Sequence, residues 1–211
     1  MHVVTISATY GAGGAVVGPA VADRLGVPFV DRAIPVAVAN DLGITVDDAL
    51  SRDERVKGWL SRMLAATAPL SAEWMVGPDH ARTALLSDVA VLRCTEGAIR
   101  KAVSTDGGVI LGRAAAIVLR DHPGAFHVRL DGDRDRRVRQ AMALLGISEQ
   151  EAEDAMLRND KARVAYVRHF YGADPASPEH YHVVLDSTRV PLDTCTQIIV
   201  AAVEACDRRR A

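Results

Sequence analysis

A cluster of glycines near the start of the chain has the composition of an anion-binding turn. Gly11-Ala12-Gly13-Gly14 follows a run rich in β-branched residues at 2–7 and precedes apolar residues at helical spacing from Ala15 onward. A glycine-rich turn between a strand and a helix points backbone amides into a concavity at the positive end of the helix dipole. We interpret residues 11–15 as a phosphate-binding loop, with a purely structural turn as the alternative.

The side chains that usually complete such a loop are missing. In the pattern GxxxxGK[ST], Ala8 stands at the first glycine and Gly14 at the lysine. Ala15 and Val16 occupy the positions where a serine or threonine would hold Mg²⁺, and no lysine occurs in the first fifty residues. We expect the charge of any bound anion to be balanced by arginines.

The loop also partly fits the dinucleotide-binding pattern GxGxxG. Gly11 and Gly13 match it, Val16 does not, and Asp31 lies at a plausible distance for an acid that binds a ribose. Asp31 fits a substrate contact or the plain end of a strand equally well. The loop alone therefore does not separate a phosphate loop from a dinucleotide loop.

Arginines supply the other candidate ligand-binding residues. Arg113 follows a buried-looking strand at its carboxyl end, the usual ligand edge of an open α/β sheet, and we favour a binding role over a surface ion pair. Arg158, Lys161 and Arg163 lie on a predicted helix, where clustered charge is most often a solvated face.

A denser group of arginines begins at the first turn of the preceding helix: Arg134, Arg136, Arg137 and Arg139. Arg134 and Arg137 are placed to pair with Asp131 or Asp133, and Arg136 and Arg139 are weak candidates for binding residues.

Three histidines and a Ser-Thr pair near the end of the chain are predicted to have structural rather than ligand-binding roles. His169, His180 and His182 have no carboxylate placed nearby by any motif, so we predict no metal site. Ser187 and Thr188 are predicted to cap the closing helix or to fill the turn before Pro191.

The elements that must position these residues alternate along the chain. Strands are predicted at 2–7, 27–31, 108–111, 126–130 and 181–185, and helices at 15–25, 32–42, 113–119, 133–145, 148–170 and 191–206. The long helix opens with Ser148-Glu149-Gln150-Glu151, a capping box. Segments 47–66 and 81–103 look helical, with no strand between, and predict a helical insertion. The alternation predicts a parallel sheet flanked by helices.

Composition narrows the class of protein. With 211 residues, one domain carrying a small mobile subregion is expected, and 49% apolar with only 4% aromatic residues suits a core of aliphatic side chains. A net charge of −2 predicts no nucleic-acid or membrane-surface partner. Neither a signal peptide nor a membrane-length apolar run is found, so a cytoplasmic location is expected.

Cysteine and tryptophan positions add two expectations. Cys94, Cys195 and Cys206 are odd in number and lack CxxC spacing, so we predict reduced thiols rather than disulfides or a zinc site. The helical stretch around Trp59 and Trp74 could supply an apolar patch for a homo-oligomer.

Five segments occur in an order that resembles a known family. They are 6–14 (ISATYGAGG), 25–32 (LGVPFVDR), 109–113 (VILGR), 158–163 (RNDKAR) and 184–188 (VLDST). Together they resemble the cytidylate-kinase-like family of P-loop nucleoside monophosphate kinases. The resemblance implies a three-layer α/β fold of the P-loop nucleoside triphosphate hydrolase type, an open parallel sheet with helices on both faces.

The resemblance also implies roles for particular residues and regions. Residues 11–14 would wrap the phosphates of ATP, Arg113 would hold the acceptor's phosphate, and Arg158 and Arg163 would neutralise the transferring group. Asp31 and Arg32 would contact the substrate. A helical region at 32–105 would bind the acceptor, and a lid at 133–170 would close over ATP with Mg²⁺.

Two positions depart from the pattern of the family. Ala15 stands where members often carry an arginine, and Ala114 stands where cytidylate kinases have an aspartate that recognises the nucleotide. Three functions follow as alternatives. The first is transfer of the ATP γ-phosphate to CMP, dCMP or a related acceptor. The second is a catalytically weak kinase fold that serves as a nucleotide sensor or protein-interaction module, and the third is an NAD(P)-dependent oxidoreductase.

Overall fold

The protein is known from a computed structural model that describes residues 2–31, 96, 99–100, 103–104, 107–112 and 114–209. Two compact units are present, Met1–Ile34 with Ile99–Ala211, and Pro35–Ala98. The predicted helices between 32 and 95, and with them Arg32, Trp59, Trp74 and Cys94, lie outside the described residues. Arg113 lies outside them as well.

The first unit contains a five-stranded parallel sheet. Its strands are β1 (Val3–Ala8), β2 (Phe29–Asp31), β3 (Gly108–Leu111), β4 (Ala125–Asp131) and β5 (Val183–Asp186), in the spatial order β2-β3-β1-β4-β5. Every neighbouring pair is parallel. The carboxyl ends of all five strands therefore lie at one edge of the sheet, with β1 at the centre. The predicted parallel sheet is confirmed, and all five strands lie within two residues of their predicted bounds.

Five helices have both bounds within the described residues, where the positions 96, 99–100 and 103–104 are also helical. They are α1 (Gly14–Leu25), α2 (Ala115–Val118), α3 (Arg134–Leu145), α4 (Glu149–Tyr171) and α5 (Leu192–Arg208), with a 3₁₀ turn at Pro178–His180. The capping box at Ser148 is present, because its side chain and that of Glu151 each bond the other's backbone amide. The predicted helix at 113–119 is shorter because Ala114 adopts a left-handed conformation, φ +53°, which a helix cannot contain.

The hydrophobic core lies on both faces of the sheet. On one face, Val4 and Ile6 of β1 pack with Val17 and Val21 of α1 and with Ile199 of α5, all of them buried. On the opposite face, Val3 and Ile110 pack with Ala115 and Leu119 and with the helical residues Ile99 and Val103. This alternation follows from the two-residue period of a strand. The fold is therefore the expected three-layer α/β sandwich.

The second face becomes polar where β1 and β4 run side by side. Thr5, His127 and Arg129 are almost fully buried there. The Thr5 hydroxyl and His127 Nδ1 lie 2.8 Å apart and share a hydrogen bond. Arg163, Tyr166 and Val167 of α4 lie beside Thr5 around one small cavity, and the charges of Arg163 and Arg129 are close enough to act on each other.

None of the helices in the described part of the chain is both long and apolar enough to span a bilayer. Cys195 is buried, Cys206 is partly buried, and both are free thiols.

Candidate functional site

The glycine loop connects β1 to α1 at the centre of the sheet's carboxyl edge. Gly11 and Gly13 have positive φ, +78° and +74°, and the Ala12 amide donates to the Thr9 carbonyl at 3.0 Å. The amides of Gly11, Gly13, Gly14 and Ala15 donate to no group among the described residues. They lie at the start of the twelve-residue helix α1, where the backbone carries partial positive charge.

Packing as well as backbone conformation requires glycine in this loop. A Cβ on Gly11 would lie 2.2 Å from the Arg137 carbonyl oxygen, and one on Gly13 would lie 2.5 Å from the Leu192 side chain. The loop therefore touches the backbone of α3 on one side and the start of α5 on the other.

Polar side chains from α3 and α4 hold the outer side of the loop. Arg137 Nη1 donates to the Tyr10 carbonyl at 3.0 Å and to Asp160 Oδ2 at 2.6 Å. Asp160 Oδ1 accepts the Tyr10 amide at 3.0 Å, and Gln140 Nε2 donates to the Gly11 carbonyl at 2.9 Å. Hydrogen bonds to the amide and to the carbonyl of Tyr10 thus join the loop to α4 and α3.

Arg163 of α4 brings a cation to the end of β1. Its Nη1 lies 3.4 Å from Ser7 Oγ and its Nη2 lies 3.8 Å from Asp160 Oδ1. Its Nε is buried with no hydrogen-bond partner among the described residues. Burial lowers the pKa of the Arg163 guanidinium, the Asp160 charge raises it in part, and the Arg129 charge lowers it further. The positive charge of Arg163 is therefore incompletely compensated.

A cavity of about 30 Å³ opens beside Arg163. Its lining includes Ser7, Gly112, Ala114, Tyr166 and Tyr181. This volume holds about two or three water molecules, since a water needs roughly 10–15 Å³ of such space. A phosphate group would enter only if the surrounding side chains moved apart.

Arg129 and Asp131 form a second charged pair at the end of β4. Asp131 Oδ2 accepts from Arg129 Nη2 at 2.6 Å and from its Nε at 3.1 Å, while Oδ1 accepts from the Thr9 hydroxyl at 2.9 Å. Burial opposes both charges, but these contacts outweigh it: the pKa of Arg129 is raised and that of Asp131 is lowered. Arg129 is thus already neutralised, which distinguishes it from Arg163.

The structure brings some of the candidate residues together and leaves others apart. Residues 11–15 and Arg163 lie at the carboxyl edge of β1. Arg158 is exposed on α4, where its charge acts on the Tyr10 hydroxyl: burial raises the pKa of that hydroxyl and Arg158 lowers it in part. Asp31 ends β2, two strands away from β1. Arg32 and Arg113 lie outside the described residues.

The pairing expected for Arg137 is wrong. Its carboxylate partner is Asp160, because Asp131 is taken by Arg129 and Asp133 caps α3 by accepting the Arg136 amide. No pattern in the sequence pointed to Asp160. The only available signal was an acid inside the basic segment 158–163.

The other arginines of α3 are also distributed differently from the expectation. Arg134 lies 3.7 Å from Glu153, Arg136 lies 3.5 Å from Asp186, and Arg139 is exposed. Arg136 is thereby held at the end of β5 rather than at the loop.

Ser187 was missed as a residue of the loop. It is buried, and its hydroxyl donates to the Ala12 carbonyl at 2.8 Å, which ties the end of β5 to the glycine loop. Thr188 fills the turn by bonding Asp186, as one of the two expectations had it. Neither residue caps α5, whose N-cap is Pro191 without a side-chain bond.

The described residues do not fit a protein-bound Mg²⁺ ion. The Ala15 methyl stands where a hydroxyl would be the ligand, and the carboxylates near the loop, Asp131, Asp160 and Asp186, are all paired with arginines. The described part of the chain also holds no group of three or more metal-ligating side chains.

Comparison with known proteins identifies the family. Residues 3–189 match the cytidylate kinase-like family. An uncharacterized protein of known structure from Eubacterium ventriosum ATCC 27560 is 20% identical over 97% of this chain and 98% of its own, with a TM-score of 0.65. A sugar kinase from Janibacter sp. HTCC2649 is 18% identical over 95% and 93% of the two chains, with a TM-score of 0.49.

A curated relative matches a smaller part of the chain. A uronate isomerase from Corynebacterium glutamicum is 30% identical over 96 residues, which is 46% of this chain and only 18% of that protein. The family match, in contrast, spans nearly the whole chain. This protein therefore belongs to the cytidylate kinase-like family and has a kinase-like P-loop fold.

Proposed function

We propose that this protein binds ATP on its glycine loop and transfers the γ-phosphate to a nucleoside monophosphate such as CMP or dCMP, or to a related small acceptor. One observation carries the proposal. The amides of Gly11, Gly13, Gly14 and Ala15, which have no acceptor in the described part of the chain, lie at the same end of β1 as the incompletely compensated charge of Arg163.

This combination suits phosphoryl transfer, which asks little covalent chemistry of a protein. The reaction needs oriented donors and cations around the equatorial oxygens and a site that excludes water. The loop would supply the donors for the ATP phosphates, and Arg163, with Arg113 and Arg158, would supply the cations. Asp31 and Arg32 would contact the acceptor, with 32–105 as the acceptor-binding region and 133–170 as the lid.

A second function is favoured by the missing loop side chains. With Gly14 at the lysine position and Ala15 at the hydroxyl position, two groups that usually stabilise the transferring phosphate are absent. Each loss of a preorganised charge-stabilising group typically costs about 10²–10³ in rate. A protein with this loop could serve as a nucleotide sensor or a protein-interaction module with negligible turnover.

The dinucleotide-dependent oxidoreductase receives no support from the strand order. In the dinucleotide-binding fold, the strand that ends in the ribose-binding acid is the direct neighbour of β1. Here β3 lies between β1 and β2, so the end of β2 is displaced from the loop by two strand spacings, roughly 10 Å. Asp31 is therefore poorly placed to bind a ribose whose phosphates lie on the loop.

Incubation with Mg-ATP and a panel of nucleoside monophosphates tests the proposal. We expect a nucleoside diphosphate product, and we expect Arg163→Gln to lower kcat/KM by about 10²-fold. Arg168→Gln, an exposed arginine on the same helix, is the matched control and should change kcat/KM less than about two-fold. A thermal shift with ATP but no product would favour the sensor, and neither shift nor product would refute both functions.

The cytoplasmic location and self-association remain predictions.

A further inference from the structure

Asp160 is an acid within a basic segment of α4, and its carboxylate touches three separate parts of the site. Oδ2 accepts from Arg137 of α3 at 2.6 Å, and Oδ1 accepts the Tyr10 amide of the loop at 3.0 Å. Oδ1 also lies 3.8 Å from Nη2 of Arg163. The side chain is 25% exposed, so these contacts are only partly screened by water.

The position of Asp160 leaves the phosphate-binding part of the loop clear. Tyr10 precedes the glycines, and the amides of Gly11 and of residues 13–15 remain unengaged in the described residues. The carboxylate therefore does not act as an internal substitute for a bound phosphate. It holds the flank of the loop instead.

The charges around Asp160 show what its loss would do. Arg137 is 12% exposed and Arg163 is 19% exposed, and this one carboxylate is the acid that both of them contact. Charge-assisted hydrogen bonds of this kind are stronger than neutral ones, and removing one partner leaves the buried charge uncompensated. Without the carboxylate, Arg137 and Arg163 would repel each other and the Tyr10 amide would lose its acceptor.

We propose that Asp160 is a positioning residue that fixes the glycine loop and the Arg163 guanidinium relative to each other, so that both meet the same phosphate chain. The inference rests on the proposed function for its ligand, ATP. The coupling of loop to helix, however, exists in the protein without nucleotide and is measurable there.

Hydrogen exchange of the nucleotide-free protein tests the coupling. Asp160→Asn should speed exchange of the Tyr10 amide by about ten-fold, because asparagine carries no charge and keeps only one acceptor oxygen for the Tyr10 amide and Arg137. Glu153→Gln is the matched control, since Glu153 also lies on α4 and faces an arginine of α3, Arg134, but does not touch the loop. It should leave exchange of Tyr10 at the wild-type rate.

ATP binding tests the functional part. Asp160→Asn should raise the dissociation constant for ATP by about ten-fold, whereas Glu153→Gln should bind ATP with wild-type affinity. Ser148→Ala, which loses stability at a distance from the loop, should also keep wild-type affinity, and this separates positioning from general destabilisation. Wild-type or tighter ATP binding by Asp160→Asn would overturn the proposal, and so would unchanged exchange of Tyr10.

Two further outcomes are distinguishable. If the wild-type protein binds no ATP, the proposed function fails, while the exchange experiment still decides whether Asp160 anchors the loop. If Asp160→Asn does not fold, Asp160→Glu replaces it, because it keeps the charge and lengthens the side chain by one methylene. The exchange rate of the Tyr10 amide should then rise by about two- to five-fold, less than after complete loss of the contact. A wild-type exchange rate in this variant would contradict the proposal that Asp160 anchors the loop.

Discussion

At the scale of single residues, glycine is required for two different reasons at different positions of the chain. Gly26, which ends α1 at φ +65°, needs only its left-handed conformation, because a Cβ there would meet nothing within 4 Å. Gly11 needs both its conformation and its missing side chain, since the Arg137 carbonyl lies where a Cβ would be. The loop is therefore defined by contact with α3 as much as by its own backbone.

Gly11→Ala and Gly26→Ala should separate these two demands. We expect Gly26→Ala to lower the free energy of unfolding by about 1 kcal/mol, the cost of a left-handed alanine. Gly11→Ala should lower it by about 3 kcal/mol, because the same strain is joined by an overpacking clash with backbone. Urea unfolding of the two variants provides the comparison. Equal losses would show that the loop does not press against α3.

At the scale of elements, the pair α3–α4 carries the residues that complete the site. Asp133 caps α3 and Ser148 caps α4, and the two helices bury Val138, Ala141, Ala152 and Met156 between them. Their polar side is turned toward the glycine loop, where Arg137 and Asp160 meet Tyr10. The caps therefore contribute to the stability of α3 and α4 without touching the residues that contact Tyr10.

Ser148→Ala should destabilise the protein by about 1 kcal/mol, because the Glu151 amide loses its acceptor, the Ser148 hydroxyl, at the start of α4. Ser177→Ala is the matched control. Ser177 also precedes a helical turn, but its side chain makes no capping bond. Thermal unfolding should show a lower midpoint for Ser148→Ala alone, and a similar shift in both variants would contradict the role assigned to the capping box.

At the scale of the whole molecule, the parallel sheet gathers five strand ends at one edge and buries a polar strip where β1 and β4 run side by side. His127 lies in this strip, hydrogen-bonded to Thr5 and stacked on His182, with the two ring centroids 5.0 Å apart. Burial, and next the neighbouring His182, lower the pKa of His127 to about 4. Protonation of the His127 ring therefore destabilises the contact between β1 and β4.

The lowered pKa predicts a pH-dependent stability of the fold. The unfolded chain takes up a proton at His127 near pH 6.5, whereas the folded protein does so only near pH 4. The contribution of His127 to the free energy of unfolding is thus fully present above pH 6.5, and it falls by about 2–3 kcal/mol as the pH decreases toward 4. Urea unfolding between pH 7 and pH 4 should show a steeper loss in the wild type than in His127→Gln. Parallel pH profiles would contradict a neutral, buried His127.

Local patterns in the sequence were sufficient for much of the fold. The capping box at Ser148, the apolar spacing of α1 and the apolar run of each strand depend on neighbours within a few residues, and the structure has them where they were predicted. The glycine loop was predicted for the same reason. The pairing of Arg137 was not, since its partner Asp160 lies 23 positions away on another helix.

The sequence alone determined the strand–glycine–helix unit, the alternation that makes the sheet parallel, and the absence of the loop lysine and hydroxyl. Only the tertiary structure decided which charges meet. It placed β3 between β1 and β2, paired Asp131 with Arg129, and buried the Arg163 Nε without a hydrogen-bond partner among the residues that the structure describes. The reason is physical: ion pairs and buried polar contacts depend on distances between elements remote in the chain, and spacing along the chain does not encode those distances.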